Sequence, residues 1–353
     1  MKRTILLFSA PLLLFAAAAN VHAKTTTLAV VMTNDPANNQ IKVYDAVSGS
    51  LLQTLSTNGK GGATGNARGI RESGGTLLAA VNNGSNSVAI FEWFGDNNLG
   101  FERTVATTSA PVSIDFANNH MYVAGATSVD SFVMFGTSVG WMDGTTGLTL
   151  FGGGVPPGGS TAQVGALNNN TLLVTLKTDP IPGTVDVVAL NSNGAVAGTL
   201  PTAVSAPAGS LTPFGFSVYP DSTALITLAH SNQVGLFRNG AFTDVITPGQ
   251  AADCWSTIDG KYVSTANTGS MTISRLVGTG NNIFLDSGVA ATIATGLAPA
   301  DIDAAGGILG ILSGGSFLSL YTYNDYGELA ASVTPINIGV STAGGVAIMP
   351  PPY

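Results

Sequence analysis

The chain has 353 residues, of which 45% are hydrophobic, 9% are charged and 45 are glycines. The chain has twenty acidic and twelve basic residues, which gives a formal charge of −8, and the basic residues form no cluster in the sequence. Nucleic acid and anionic lipid are therefore excluded as partners, because both need a basic surface. Hydrophobic residues show no 3.6-residue period after residue 24, which favours many short strands over long helices.

The first 23 residues predict a signal peptide. Lys2 and Arg3 form a basic start, Ile5 to Ala19 are apolar, and small residues end the segment at Ala23. The alternative is an uncleaved membrane anchor, which the short apolar run disfavours. Cleavage after Ala23 gives an exported domain of residues 24–353, periplasmic or extracellular and not inserted in a membrane. Ten basic residues then remain against twenty acidic ones, a formal charge of about −10.

The remainder of the chain repeats one pattern of short alternating strands. Its copies begin near Asn66, Pro111, Thr161, Pro213, Ala251 and Pro299. Their starts lie 38 to 52 residues apart, the period of a four-stranded propeller blade. We therefore predict an all-β, seven-bladed β-propeller in a single domain.

The termini should share the seventh blade. Gly345–Met349 is apolar like an innermost strand, but no outer strands follow it. The segments from Thr27, Gln40 and Leu51 have the character of a second, third and fourth strand. Pairing Gly345–Met349 with Thr27–Met32 would complete this blade and leave no open inner edge.

Propeller geometry predicts where polar residues gather. Loops that lead into the innermost strands and loops that join second to third strands surround one mouth of the central channel. The first group contains Arg68, Ser113, Gln163, Gly215, Asp253 and Asp301. The second group contains Asn34, Asp35, Asn82, Asn83, Thr127, Lys177, His230, Asn267 and Ser313. Convergent polar groups around a concavity predict a binding site for a small molecule at this channel mouth.

Several of these residues have a structural interpretation that stays open. His230 could cap a turn, Arg68 could pair with Asp253 or Asp301, and Lys177 could be a solvated loop charge. A calcium site built from Asp253, Asp301, Asn34 and Asn82 is geometrically conceivable. We nevertheless expect no metal and no cofactor.

The sequence lacks the residues or the sequence context needed for a disulfide, a cysteine nucleophile, a zinc site or a dinucleotide-binding site. The single cysteine, Cys254, permits no internal disulfide and has no histidine or cation beside it in sequence, so it is interpreted as a small buried residue. The mature chain has two histidines, too few with one cysteine for a zinc site. His120 falls in a turn at the opposite end of the channel and is expected to be structural. The glycine-rich stretches lack the strand–turn–helix setting of dinucleotide binding.

Three segments resemble a known family. They are VVMTNDPANNQIKVYD, RGIRESGGTLLAAVNNGSNSVAIF and GQAADCWSTIDGKYVSTANTGSMTISRL. They are similar to the secreted lactonase-like seven-bladed propellers, often called 3-carboxymuconate cyclase-like, and the likeness covers most of residues 28–349. The wider family includes 6-phosphogluconolactonase and the carboxymuconate lactonizing enzyme, which use a histidine, several arginines and a glutamate on anionic substrates.

The resemblance implies a lactone hydrolase or cycloisomerase that acts on a lactone or muconate-like carboxylic substrate. His230 would be the general acid or base, and Arg68 would stabilise carboxylate or enolate charge, aided by Asp253 or Asp301. Substrate-binding residues would be Asn34, Asn82, Gln163, Lys177 and Asn267. The family's other arginines and its glutamate have no match. The alternative is a non-catalytic propeller that binds a glycan, a small ligand or a protein partner. In either case a monomer is expected.

Overall fold

The computed structural model describes residues 26–95, 98–149, 161–177, 183–324 and 327–351. Within these ranges the chain forms seven antiparallel sheets, which are the seven blades of a β-propeller. No helix in the described part is long and apolar enough to span a membrane. The predicted signal peptide, residues 1–23, lies outside the described residues.

The first three blades take up the chain's beginning and its end. Blade 1 has the order β29–β1–β2–β3, with β29 Gly345–Met349, β1 Leu28–Met32, β2 Gln40–Asp45 and β3 Leu51–Ser56. Blade 2 contains β4 Ile70–Ser73, β5 Leu77–Asn82, β6 Ser87–Trp93 and β7 Leu99–Ala106. Blade 3 contains β8 Pro111–Ala117, β9 His120–Gly125, β10 Ser128–Phe135 and β11 Ser138–Gly147.

The other four blades follow in chain order. Blade 4 contains β12 Thr161–Asn168, β13 Thr171–Leu176, β14 Thr184–Ala189 and β15 Thr202–Ser205. Blade 5 contains β16 Pro213–Val218, β17 Ala224–Leu228, β18 Gln233–Arg238 and β19 Ala241–Ile246. Blade 6 contains β20 Asp253–Asp259, β21 Tyr262–Asn267, β22 Thr272–Thr279 and β23 Asn282–Thr292. Blade 7 contains β24 Pro299–Ala305, β25 Ile308–Ser313, β26 Phe317–Tyr323, β27 Leu329–Ala331 and β28 Ile336–Asn337.

Short 3₁₀ turns occupy the same place in two blades. Asn83–Ser85 follows β5, and Ala229–Ser231 follows β17. The hydrophobic core lies mainly between blades, where buried apolar residues of one blade pack on those of the next. Because each sheet packs on both faces, inner strands such as β1 and β5 are buried along their whole length.

The predicted closure by the two chain ends is confirmed. β29 pairs antiparallel with β1, from Leu28 opposite Met349 to Met32 opposite Gly345. The whole of β29 is buried, and so is β1. The last strand therefore completes the innermost position of blade 1, as the split repeat predicts.

Polar side chains of the innermost strands bind the backbone of the next blade. An innermost strand has a sheet neighbour on one side only, so N–H groups on its channel side need other acceptors. Ser113 Oγ accepts from Val164 N at 3.1 Å, and Asp301 Oδ2 accepts from Val346 N at 3.1 Å. The same contact joins Asp115 to Ala166, Gln163 to Phe216, Thr257 to Ala304 and Asp303 to Ile348. We call these side chains the inter-blade latches.

Removal of β29 should abolish the folded state. Val346, Ile348 and Met349 are at most 1% exposed, and each large side chain contributes about 1.5–3 kcal/mol on burial. Their loss is comparable with a typical total stability of about 5–15 kcal/mol. We expect a chain ending at Gly344 to show no cooperative urea transition, whereas a chain ending at Pro351 unfolds like the full chain. A cooperative transition in the shorter chain would contradict the closure.

Candidate functional site

Arg68 is a buried cation whose guanidinium has neither an ion pair nor a hydrogen bond among the described residues. It lies two residues before the start of β4, with a φ of +56° in the left-handed region that non-glycine residues rarely adopt. The residue is 8% exposed, yet no described group accepts a hydrogen bond from its guanidinium or lies within ion-pair distance. Burial, and next the charge of Arg71, lower the pKa of Arg68 to about 10, so it stays charged at neutral pH. The carboxyl groups of Asp115, Asp303 and Asp301 favour the charged form, but none of them contacts the guanidinium, so an anion that binds it directly stabilises it further.

Arg71 lies beside Arg68 and joins two non-adjacent blades. Its Nη1 is 3.1 Å from Asp303 Oδ1 on blade 7, and its Nε is 3.6 Å from Asp115 Oδ1 on blade 3. Burial alone would lower the pKa of Arg71, but the carboxylates of Asp303 and Asp115 raise it. Arg71 therefore bridges across blade 1 within the channel.

These two arginines line a cavity of about 240 Å³ in the central channel, which we call the arginine cavity. Its lining consists of Arg68, Arg71, Asp115, Phe116, Ala117, Ala166, Val218 and Ile258. The apolar members belong to the second halves of the innermost strands of blades 3 to 6. The cavity therefore lies toward the turns between first and second strands. That is the end of the channel opposite the mouth that the sequence indicates.

Asp301 adds a buried carboxyl group near the arginines. It is 1% exposed, and its Oδ1 has no hydrogen-bond partner among the described residues. Burial raises the pKa of Asp301 well above its ordinary value, against the opposing effect of the Val346 N–H. Of the carboxyl groups near Arg68, only that of Asp115 is in the cavity lining; Asp303 accepts hydrogen bonds from Arg71 and from Ile348 N.

The chain itself covers the other mouth of the channel. Residues 57–69, which connect β3 to β4, form a strap that reaches the opposite side of the ring. Ala67 N donates to Ala162 O of blade 4 at 3.0 Å, and Trp255 Nε1 of blade 6 donates to Asn66 O at 3.0 Å. Asn66 and Ala67 are at most 3% exposed. Because the strap belongs to the connection between blades 1 and 2, these contacts take it over the channel mouth.

Three predicted substrate-binding residues hold this strap. Asn34 Nδ2 donates to Ala63 O at 2.8 Å, and its Oδ1 accepts from the backbone N–H groups of Gly62 and Ala63. Asn82 accepts from the hydroxyl of Thr57 at 2.6 Å. Lys177 Nζ donates to Gly65 O at 2.7 Å and also to Thr64 O. Burial lowers the pKa of Lys177 to about 8.

The other predicted binding residues also contact the protein. Gln163 exchanges two hydrogen bonds with the backbone of Phe216, at 2.8 and 2.9 Å. The amide of Asn267 lies between the hydroxyls of Thr272 and Ser274 and the carboxylate of Asp253. These two side chains therefore bind a neighbouring blade and their own blade, respectively.

The structure places His230 away from the arginine cavity. It is exposed in the 3₁₀ turn Ala229–Ser231, on the side covered by the strap, and the cavity lining does not include it. The other mature histidine, His120, is 2% exposed, with Nδ1 2.8 Å from Asn118 O and Nε2 2.8 Å from Asp143 Oδ2.

Strand register corrects the alignment of two candidate residues. Ser113, Gln163 and Asp301 all pair with the second-last residue of the next strand. By this criterion, the residue of blade 6 that is equivalent to Ser113 is Trp255 rather than Asp253. In blade 2 it is Gly69 rather than Arg68. Register shifts near the start of five innermost strands cause the difference, because a bulge inserts a residue that a repeat alignment does not show.

Neither a reactive cysteine nor a metal site is found among the described residues. Burial raises the pKa of the Cys254 thiol to about 11, which makes it a poor nucleophile. Within the described ranges, no three His, Cys, Asp or Glu side chains are grouped as a metal site would require. Sequence reasoning missed Arg71 and Asp115. Alternation with apolar residues along β8 marks Asp115 as a polar residue of an innermost strand, whereas β4, with the sequence IRES, gives no such signal for Arg71.

Asp253 should make stability depend on pH. It is fully buried, and burial raises its pKa from the ordinary 3.8 to about 6. The folded state therefore holds this proton more tightly than the unfolded state, so the stabilisation is complete below about pH 4 and is lost as the pH rises through 6. Between pH 7 and pH 4.5 we expect a gain of roughly 2 kcal/mol in the free energy of unfolding that Asp253→Asn lacks. Urea titrations of both proteins measure it, and equal pH dependence would contradict the assignment.

No family model and no curated protein matches the sequence. Solved structures match the fold. A periplasmic gluconolactonase of Pseudomonas aeruginosa is 14% identical, with TM-score 0.66 over 93% of this chain and all of its own. A candidate 6-phosphogluconolactonase from Bacteroides uniformis is 15% identical, with TM-score 0.67 over 92% of this chain and all of its own. A virginiamycin B lyase of Staphylococcus aureus is 15% identical, with TM-score 0.57 over 83% and 93%. The chain thus has the seven-bladed propeller fold that lactonases share, as its resemblance to the lactonase-like propellers implies.

Proposed function

We propose that the protein is an exported lactonase-like propeller that binds a small lactone or carboxylic acid in its channel cavity and hydrolyses the lactone. The observation that carries the proposal is the buried guanidinium of Arg68, which has no partner among the described residues and belongs to a cavity. Proteins rarely keep a buried charge unpaired. A bound carboxylate, or the oxyanion that develops on a lactone carbonyl, supplies the missing partner.

The cavity contains the groups that lactone hydrolysis needs. Water adds to the carbonyl carbon, the ring C–O bond breaks, and the departing alkoxide takes up a proton. Arg68 stabilises the negative charge on the carbonyl oxygen in the transition state. Asp115 accepts the proton of the attacking water through Oδ1, since its Oδ2 is already bound to Ala166 N, and then donates that proton to the departing alkoxide. Arg71, 3.6 Å from Oδ1, holds this carboxylate in place.

The matching folds support the same reaction class. Two of the solved structures that share the fold are described as a gluconolactonase and a candidate 6-phosphogluconolactonase. The gluconolactonase is periplasmic, which agrees with the signal peptide predicted for residues 1–23 of this chain. The roles that the sequence suggests for His230, Asn34 and Asn82 would instead put the reaction at the channel mouth that the strap covers, here called the strapped mouth.

A second candidate function is binding without catalysis. It is favoured by the position of Asp115, which serves as an inter-blade latch as well as lining the cavity. In that case the cavity would hold a carboxylate ligand and turn nothing over. Both functions use Arg68, so measurements of binding and turnover together separate them.

Arg68→Gln should lose activity while gaining stability. The purified mature protein is tested on γ-butyrolactone, δ-valerolactone, δ-hexalactone, muconolactone and glucono-δ-lactone by pH-stat titration of the acid released. We expect kcat/KM on the best substrate to fall about 100- to 1000-fold, as for loss of one oxyanion donor. The Tm should stay the same or rise, because the substitution removes an unpaired buried charge.

Arg238→Gln is the matched control, because Arg238 lies on blade 5 and pairs with Asp221 near the surface. It should keep full activity. Carboxylate binding that depends on Arg68, without turnover of any lactone, would reject hydrolysis and support the second function, binding without catalysis. Turnover that survives Arg68→Gln but is lost in His230→Ala would move the chemistry to the strapped mouth and overturn the proposal.

A further inference from the structure

Apart from Arg68, Arg71 and Asp115, the residues that line the arginine cavity are apolar. Phe116, Ala166, Val218 and Ile258 occupy the same register position in the innermost strands of blades 3 to 6. Ala117 follows Phe116 in the lining, and the remaining members are Arg68, Arg71 and Asp115. The cavity therefore has one charged end and one hydrocarbon end.

This division selects a class of substrate. We propose that the cavity takes a monocarboxylate, or its lactone, with an unsubstituted hydrocarbon body of about six carbons, and discriminates against polyhydroxylated lactones. The inference rests on the proposed function and names the substrate class for that site. A carboxylate or lactone carbonyl binds Arg68, and the carbon chain packs against Val218, Ile258 and Phe116.

Hydroxyl groups would lose more than they gain in this cavity. A hydroxyl facing the side chains of Val218 or Ile258 gives up its bonds to water and finds no acceptor or donor there. Each methylene group in the same position is instead stabilised by leaving water. A cavity of about 240 Å³ has room for a small chain, and its polar side chains are those of Arg68, Arg71 and Asp115.

Amide groups do occur in a neighbouring cavity, which is a distinct space. It measures about 500 Å³ and shares Ala117 and Ala166 with the arginine cavity. Asn168 lines it but uses its Oδ1 for Asn170 N and the Thr171 hydroxyl. Asn118 directs its amide to Tyr122 and to Asn168 O. None of the asparagines of this neighbouring cavity lines the cavity of Arg68 and Arg71.

Hexanoate and gluconate provide the test, because both are six-carbon monocarboxylates and differ in the hydroxyl groups. Calorimetric titration of the full mature protein should show hexanoate binding about 100-fold more tightly than gluconate. Arg68→Gln should abolish binding of hexanoate, which identifies the site. Val218→Thr replaces a wall methyl by a hydroxyl at equal size and should reduce the preference about 10-fold. Val289→Thr, at an exposed position of β23, should leave the preference unchanged.

The outcomes separate the two proposals. Equal or tighter binding of gluconate, still dependent on Arg68, would overturn the hydrocarbon preference and leave the proposed function intact. Absence of binding for both acids in the folded protein, or binding that Arg68→Gln does not affect, would overturn both. A preference for hexanoate that Val218→Thr and Val289→Thr reduce equally would contradict a role of this wall.

Discussion

The unpaired inner edge of each blade is the constraint on which the structure depends. An innermost strand has one neighbour in its sheet, and its channel-side N–H groups lie too deep for bulk water to satisfy freely. Side chains such as Ser113, Thr257 and Asp301 satisfy these groups on the next blade. A polar residue on an innermost strand is therefore as much a joint between blades as a candidate for chemistry.

Arg68 and Arg71 stand out against this background. The latches act mainly as acceptors for N–H groups, whereas an arginine has only donors and cannot serve an N–H. Arg71 pairs with Asp115 and Asp303, while Arg68 contributes its backbone oxygen to Ile114 N, and its guanidinium contacts no acceptor among the described residues. The contacts that close the propeller therefore leave the Arg68 guanidinium available to a ligand, in a channel whose other mouth the strap covers.

The sequence predicts the architecture well and the site only in part. Blade number, the split blade and the pairing of Gly345–Met349 with β1 follow from the repeat, because each strand copies a hydrophobic pattern that packing requires. Arg68 is among the candidate residues that the sequence names, but its surroundings depend on bulges that shift register by one residue. The strap is a glycine-rich connection, and its path over the channel depends on distant partners such as Trp255 and Lys177. Local patterns carry no information about such contacts.

A crystal structure of the mature protein with 4-bromobutyrate tests the central claim most directly, because the bromine marks the ligand by its anomalous scattering. We expect the carboxylate within hydrogen-bond distance of the Arg68 guanidinium and the bromine among Phe116, Val218 and Ile258. A bromine peak beside His230 at the strapped mouth, or an Arg68 found in an ion pair with a carboxylate of the protein, would contradict the account.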